Sequence, residues 1–294
     1  MPRPEPPGPG NERGYSSSPS RAVGRPGIAP ATDDAVRLAR ALKTTQGRRE
    51  QHRFLLEGVR LIGDALDQGL PIIQVFVTHH LLDSTPRGHA LSARLRREEI
   101  PLVELSERHL TLITDTETPA GIAAVAPLPD PEGDLLPPEG AGLGALLLDQ
   151  VRDPGNLGGI LRSAAAAGVT RIITTEGSAD PWAPKVVRAA AGAHLRLRLW
   201  PGRSRDEVAA WLAGWPQVVL ADGRAGGTMY EVNWKLPTVL VLANEAHGPS
   251  PWLGALPVIR ASIPMRGATE SLNVGAATAI LLYEARRSFL TPGP

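Results

Sequence analysis

Residues 263–287 read IPMRGATESLNVGAATAILLYEARR. From about Leu272 the apolar spacing predicts a long amphipathic helix. Its entrance is unusual. A proline and an MRGAT run lead into Ser271-Leu272-Asn273, so two polar side chains stand directly before an apolar helix. Such residues fit an N-cap, and they also fit polar groups held at a binding site.

Two segments upstream bear on that choice. TVLVLANEAHGPS (238–250) reads as a buried strand that ends in Asn244-Glu245 and enters a Gly-Pro loop. Glu245 fits an acid at a helix N-terminus, because Pro249-Ser250-Pro251 follow, or a site group. His247 stands alone in its loop and reads as solvated; no second His joins it at ligand spacing, so no metal is expected. LLLDQVRDPGNLGGILRSAAAAGV (146–169) reads as a buried strand ending at Asp149, a loop with Pro154, Gly155 and Asn156, then a helix with Gly158 and Gly159 that carries Arg162. Loops at the carboxyl ends of parallel strands are where open α/β sheets bind ligands. Taken alone, Arg162 is a surface arginine on an Ala-rich helix. GxGxxG is missing, and no Gly-Lys-Ser/Thr follows, so neither a dinucleotide fingerprint nor a Walker loop is present.

Around these segments an α/β pattern extends over 143–294. Strands are expected at 144–149, 171–175, 195–200, 217–221, 238–243 and 258–263, and helices at about 156–168, 184–191, 205–213 and 271–288. The strands are continuous apolar runs rather than alternating ones, which predicts a mostly parallel sheet covered on both faces. A smaller α/β unit is expected over 31–127, with Asp33 capping its first helix. The Pro-, Gly- and acid-rich stretch 128–142 reads as a linker. Residues 1–30 hold eight Pro and five Gly and read as a disordered tail.

Composition narrows the classes. The 294 residues contain no cysteine, which removes disulfides and cysteine-based zinc sites. No apolar run approaches membrane-spanning length and no signal peptide is recognisable, so a cytoplasmic protein without a membrane segment is expected. The formal net charge is +1, so any nucleic-acid surface must be a local patch.

Together NLGGILR, ANEAHG and IPMRGATESLNVGAATAILLYEA resemble, in order, spacing and context, the three motifs of the SPOUT-class RNA methyltransferases, in the TrmH (SpoU) branch of ribose 2′-O-methyltransferases. The resemblance covers about 150 residues and implies a trefoil-knot domain that binds S-adenosylmethionine and forms a homodimer through the knot. It carries catalytic roles to Asn156, Arg162, Glu245, Ser271 and Asn273. It implies cofactor contacts at Leu242, Ala243, Asn244, Gly248, Ile263, Met265, Leu272, Asn273 and Val274. Two departures stand out: Ala243 replaces the glycine usual before the Asn-Glu pair, and Ala190 stands where serine is frequent, while the matching Arg188 remains. A guanidinium is a poor base, since its pKa exceeds about 12, so Arg162 is expected to position phosphate and 2′-oxygen.

RREQHRFLLEGVRLIGDALDQG and TETPAGIAAVA resemble the ribosomal-protein-like substrate-binding module joined to many members. That implies RNA-facing groups at Arg48, Arg49, His52, Arg53 and Arg60, with Arg188 beside them or at a partner protomer's site. The module favours ribosomal RNA, 23S above all; a tRNA substrate, or an inactive RNA-binding or ribosome-assembly protein, are the alternatives.

Overall fold

The longest apolar runs of the chain become the inner strands of two sheets. The computed structural model describes residues 28–30, 32–116, 119–130, 142–244, 247–266 and 271–290. Residues 1–27, and 131–141 of the expected linker, lie outside them.

The N-terminal unit runs β1 (Ile28–Pro30), α1 (Asp33–Ala41), α2 (Thr45–Gln51), β2 (Arg53–Glu57), α3 (Val59–Asp67), β3 (Gln74–Val77), α4 (His79–Leu82), α5 (Pro86–Arg97), β4 (Leu102–Glu104), α6 (Glu107–Ile113) and β5 (Ile122–Pro127). The sheet order is β1-β4-β3-β5-β2, with β5 antiparallel to both neighbours. Two expectations are corrected here. Residues 28–30 are not tail: they pair with β4 as a parallel edge strand. The cap of α1 is Thr32, whose hydroxyl accepts the Ala35 N–H at 3.2 Å, and Asp33 lies in the first turn.

The C-terminal unit runs β6 (Leu143–Asp149), α7 (Pro154–Ala166), β7 (Arg171–Thr175), α8 (Pro184–Ala189), a 3-10 turn (Ala193–Arg196), β8 (Arg198–Arg203), α9 (Arg205–Leu212), β9 (Gln217–Ala221), β10 (Thr238–Ala243), α10 (Pro251–Gly254), β11 (Ile259–Ala261) and α11 (Val274–Leu290). All strand pairs are parallel, in the order β11-β9-β10-β6-β7-β8. The strand expected from Leu195 starts at Arg198, because residues 193–196 wind into the 3-10 turn. The order reverses between β6 and β10, and the crevice outside the carboxyl ends of strands at such a switch point is where open α/β sheets bind ligands. After β11, at the sheet edge, the chain crosses the connection that follows β9: Ser262 N–H reaches the Gly227 carbonyl at 2.9 Å, and Met229 N–H the Ser262 carbonyl at 2.8 Å. It then returns to the middle of the sheet, where α11 packs against α7, β6 and β10. That return is a threaded course, otherwise almost absent from proteins. Among the described residues no helix is long and apolar enough to cross a membrane.

One hydrophobic cluster spans both units. Phe54 and Leu56 of β2 meet Trp182, Val186 and Val187. The Phe54 and Trp182 ring centroids are 4.7 Å apart, and Trp182 meets the His194 ring edge-on at 5.5 Å. His194 is 1% exposed, and neither ring nitrogen has a hydrogen-bond partner among the described residues. Burial pushes its imidazole down to about 4.

The folded state therefore holds His194 neutral while the unfolded chain protonates it below its ordinary value near 6.5. Stability is complete above that pH and falls by about 1.4 kcal/mol per unit down to about pH 4. His194→Phe keeps an apolar ring and should flatten the acid limb of a denaturant-unfolding series between pH 7 and 4.5. Parallel curves for the two proteins would remove His194 as the cause.

Candidate active site

The crevice is built around Asp149, the last residue of β6, which is 1% exposed. A buried carboxylate needs donors, and this one has three. Its Oδ1 accepts the Thr175 hydroxyl at 3.1 Å and the Ser250 hydroxyl at 3.0 Å; its Oδ2 accepts the Ser250 N–H at 2.7 Å. Gln150 turns the chain in the left-handed region, at φ 53°, and its N–H reaches the Thr175 hydroxyl at 2.9 Å. The Gln150 carbonyl accepts the Asn244 side-chain amide at 2.9 Å. The loops after β6 and β10 are thus joined.

Asn244 also shapes the turn that follows it. Its Oδ1 lies 3.2 Å from the His247 N–H, and its carbonyl accepts the Gly248 N–H at 2.8 Å. Gly248 has φ 69°, a conformation that suits glycine, and a Cβ there would have nothing within 4 Å. Glu245, between these residues, lies outside the described ones. His247 is exposed, and no cluster fit to hold a metal occurs among the described residues. Ala243 ends β10 without positive φ, so its methyl introduces no backbone strain.

The third segment docks onto the first. Helix α7 begins at Pro154, capped by Asp153, whose Oδ1 accepts the Asn156 N–H at 2.7 Å; Asn156 is therefore in the first helical turn and not in a loop. Its Oδ1 accepts the Asn273 side-chain amide at 2.9 Å. Asn273 Oδ1 in turn accepts the Gly275 N–H at 2.9 Å and the Ala276 N–H at 3.3 Å. Asn273 both caps α11 and clasps α7, which accounts for the polar entrance to an apolar helix. Ser271 is exposed, Leu272 half-buried and Val274 buried. Ile263 and Met265 are half-buried and Leu242 is buried.

Close packing of α7 on α8 requires Gly158, since a Cβ there would overlap the Ala189 methyl and lie 3.0 Å from the Ala190 nitrogen. Arg162, one turn further along, is exposed and has no ion-pair partner among the described residues.

The N-terminal cations divide. Arg48 does not face RNA, contrary to expectation. It is 2% exposed, its Nε and Nη2 reach Asp180 Oδ2 at 3.0 and 2.5 Å, and its Nη1 reaches the Leu42 carbonyl at 2.8 Å. Arg49, His52 and Arg60 are exposed and Arg53 is half-buried. Arg60 is 3.8 Å from Asp64. Arg188 is half-buried, 3.6 Å from Glu57 and 3.6 Å from Asp115. Arg60, Arg87 and Arg188 line a cleft of about 800 Å³ between the two units. Sequence reasoning noted Asp149 only as a strand end and passed over Ser250; an acid closing an apolar strand was the available signal.

Asp149→Asn places an amide N–H₂ among donors and leaves at least one of them unpaired. The variant should lose about 2 kcal/mol of stability in denaturant unfolding. Unchanged stability would show that the carboxylate does not pin these loops.

Comparison with known proteins accords with this geometry. The SpoU rRNA Methylase family model matches residues 145–283, and the MRM3-like substrate binding domain matches residues 33–124. An uncharacterized tRNA/rRNA methyltransferase of Synechocystis is 34% identical over 90% of this chain and 96% of its own. A 23S rRNA uridine 2′-O-methyltransferase of Streptomyces viridochromogenes is 32% identical over 80% of this chain and 82% of its own. The crystal structure of an AdoMet-bound rRNA methyltransferase from Sinorhizobium meliloti superposes with a TM-score of 0.77, at 30% identity, over 90% of this chain and 100% of that one. The chain belongs to the SpoU rRNA methylase family, and its C-terminal unit has the family's knotted α/β fold.

Proposed function

We propose that this protein transfers a methyl group from S-adenosylmethionine to a ribose 2′-hydroxyl of ribosomal RNA, in the large-subunit 23S RNA. The observation that carries the reading is the Asn273–Asn156 hydrogen bond, made across the crevice whose other wall is tied by Asn244 to Gln150. The Streptomyces relative, by its name, acts on 23S rRNA, and the matched N-terminal model is a substrate-binding domain.

The residues fit the cofactor. Segments 242–244, 263–265 and 272–274, with Gly248, would hold it through backbone groups, and the open space at Gly248 leaves room beside them. The chemistry it supplies when bound is an electrophilic methyl on a sulfonium that becomes neutral on transfer. The protein's part is positioning. Asn273 and Asn156 hold α7 and α11 in one register, which fixes where α7 presents Arg162. A guanidinium is a poor base, so the part of Arg162 is to orient the ribose oxygen and the adjoining phosphate and to stabilise developing charge. Glu245 and Ser271 complete the polar set. Exposed Arg49 and Arg60, with half-buried Arg53 and Arg188, engage phosphates. The ordinary extended backbone at Ala243 supports an active site over a dead one.

The reading includes a homodimer through the knot region. It is supported by an apolar face on α11, where Ile280 is 39% and Tyr283 51% exposed. It also includes a cytoplasmic location, where ribosomal RNA is met.

The test is incubation with labelled S-adenosylmethionine and, separately, undermethylated large-subunit rRNA and bulk tRNA, with mapping of ribose-methylated nucleotides. Label at one rRNA nucleotide is expected; label confined to tRNA would overturn the substrate. Light scattering on the same preparation should give a dimer mass, and an active monomer would remove the dimer from the scheme. Arg162→Ala should slow transfer by about 100-fold or more while cofactor affinity stays within a few-fold. A fully active variant would take Arg162 out of the mechanism.

A further inference from the structure

The stretch 194–205, HLRLRLWPGRSR, holds four arginines and no carboxylate, in a chain whose net charge is +1. It forms the 3-10 turn, edge strand β8 and the start of α9. Leu197, Leu199 and Trp200 are buried, while Arg196, Arg198 and Arg205 are exposed. Arg198 pairs in register with Arg171 of β7, so the two side chains leave the same face of the sheet side by side. Among the described residues neither has a carboxylate partner, and Arg171 Nε is buried without an acceptor.

Like charges side by side in a sheet are destabilising, and a buried unpaired donor adds to that. Charged edge strands do guard against strand addition. That accounts for Arg196 and Arg198 only, because β7 is an inner strand between β6 and β8. At the far end of β8, Arg203 is neutralised by Glu207 at 3.2 Å. There the N-terminal unit adds a cation: Arg49 Nη2 is 3.8 Å from a Cβ placed on Gly202. The uncompensated basic strip is therefore Arg171, Arg196 and Arg198 at the amino ends of β7 and β8, while Arg203 and Arg49 stand at the other end of β8, roughly 20 Å along.

We propose that this strip is a second RNA contact, taking the phosphodiester backbone of a segment remote from the ribose being methylated. Arg171 and Arg198 stand at the amino ends of their strands, opposite the end that carries Asp149 and the crevice. Phosphate oxygens provide the negative charge and the acceptors that the exposed guanidinium groups of Arg196 and Arg198 lack. The proposal rests on the reading of the protein as an RNA methyltransferase, and it adds a surface that the reading does not require.

The test is fluorescence anisotropy of a large-subunit rRNA fragment against the full chain over a salt series, comparing the unaltered protein with Arg196→Gln/Arg198→Gln. Both positions are exposed, and thermal unfolding checks that the fold is kept. The variant should bind about tenfold or more weakly, and the slope of log K against log salt should flatten by about one to two. Cofactor affinity, and transfer at saturating RNA, should stay unchanged. Arg40→Gln/Arg96→Gln removes the same charge from two other exposed positions that have no carboxylate partner among the described residues, and should leave the slope as it was. Equal weakening by both pairs would assign the effect to net charge and overturn the strip; so would an unchanged slope in the first pair. A protein that binds RNA with a strip-dependent slope but methylates none keeps the strip and loses the catalytic reading. Transfer with no strip dependence does the reverse.

Discussion

The buried carboxylate of Asp149 is the constraint on which the crevice depends. A carboxyl group at 1% exposure is tolerated only when its polar atoms are met by hydrogen-bond partners. Those donors come from Thr175 and Ser250, 26 and 101 residues further along the chain. Strand β6 can therefore end as it does only when the loops after β7 and β10 are in place. The left-handed turn at Gln150 follows from the same arrangement, since its N–H must reach Thr175 while its carbonyl meets Asn244. The crevice is an assembly of loops that fix one another, not a hollow left between packed elements.

The N-terminal unit is bound into this assembly. The Arg48–Asp180 pair fixes the connection between β7 and α8, and the next residue back, Ala179, donates its N–H to the Val151 carbonyl at 2.9 Å. Val151 lies two residues before Asp153, the cap of α7. A buried ion pair is poor evidence of net stability, but breaking one is costly, so it specifies how its two sides meet. The Phe54, Trp182 and His194 rings, in tilted and edge-on contact, add an apolar contact at the same junction. The unit that carries Arg49 and Arg60 is in this way held in a fixed relation to the helix that carries Asn156 and Arg162.

How much of this was legible in the sequence depended on the range of the deciding contact. The apolar runs of β6 and β10 announce buried parallel strands, because continuous hydrophobicity is a local property. Asn273 stood out because a polar pair before an apolar helix is locally odd. Arg48 and Arg49 show the limit. They are adjacent and chemically identical, yet one is buried and the other exposed. The difference is set by an acid 132 residues away, which no local pattern reports. Strand β1 escaped notice for a related reason: IAP in a Pro- and Gly-rich context has no pattern of its own, and its pairing partner β4 lies more than 70 residues on. The cap at Asp33 failed on a smaller margin, since Thr32 and Asp33 both suit the role and backbone geometry chose between them.

Assembly order has a consequence for function. The bond that joins Asn156 to Asn273 spans 117 residues, and the helix that Asn273 caps reaches its place only after the chain has passed the connection following β9. Separation alone does not set this contact apart, since Arg48 and Asp180 are 132 residues apart; what does is that the chain must cross another connection to make it. The strands, the Asp149 hub and the interface with the N-terminal unit can all be made without α11. The crevice wall formed by the third segment cannot. A chain that has folded its sheets but not threaded its end would hold its exposed arginines and lack one wall of the crevice. The crevice therefore depends on the threaded placement of α11 as well as on the two sheets.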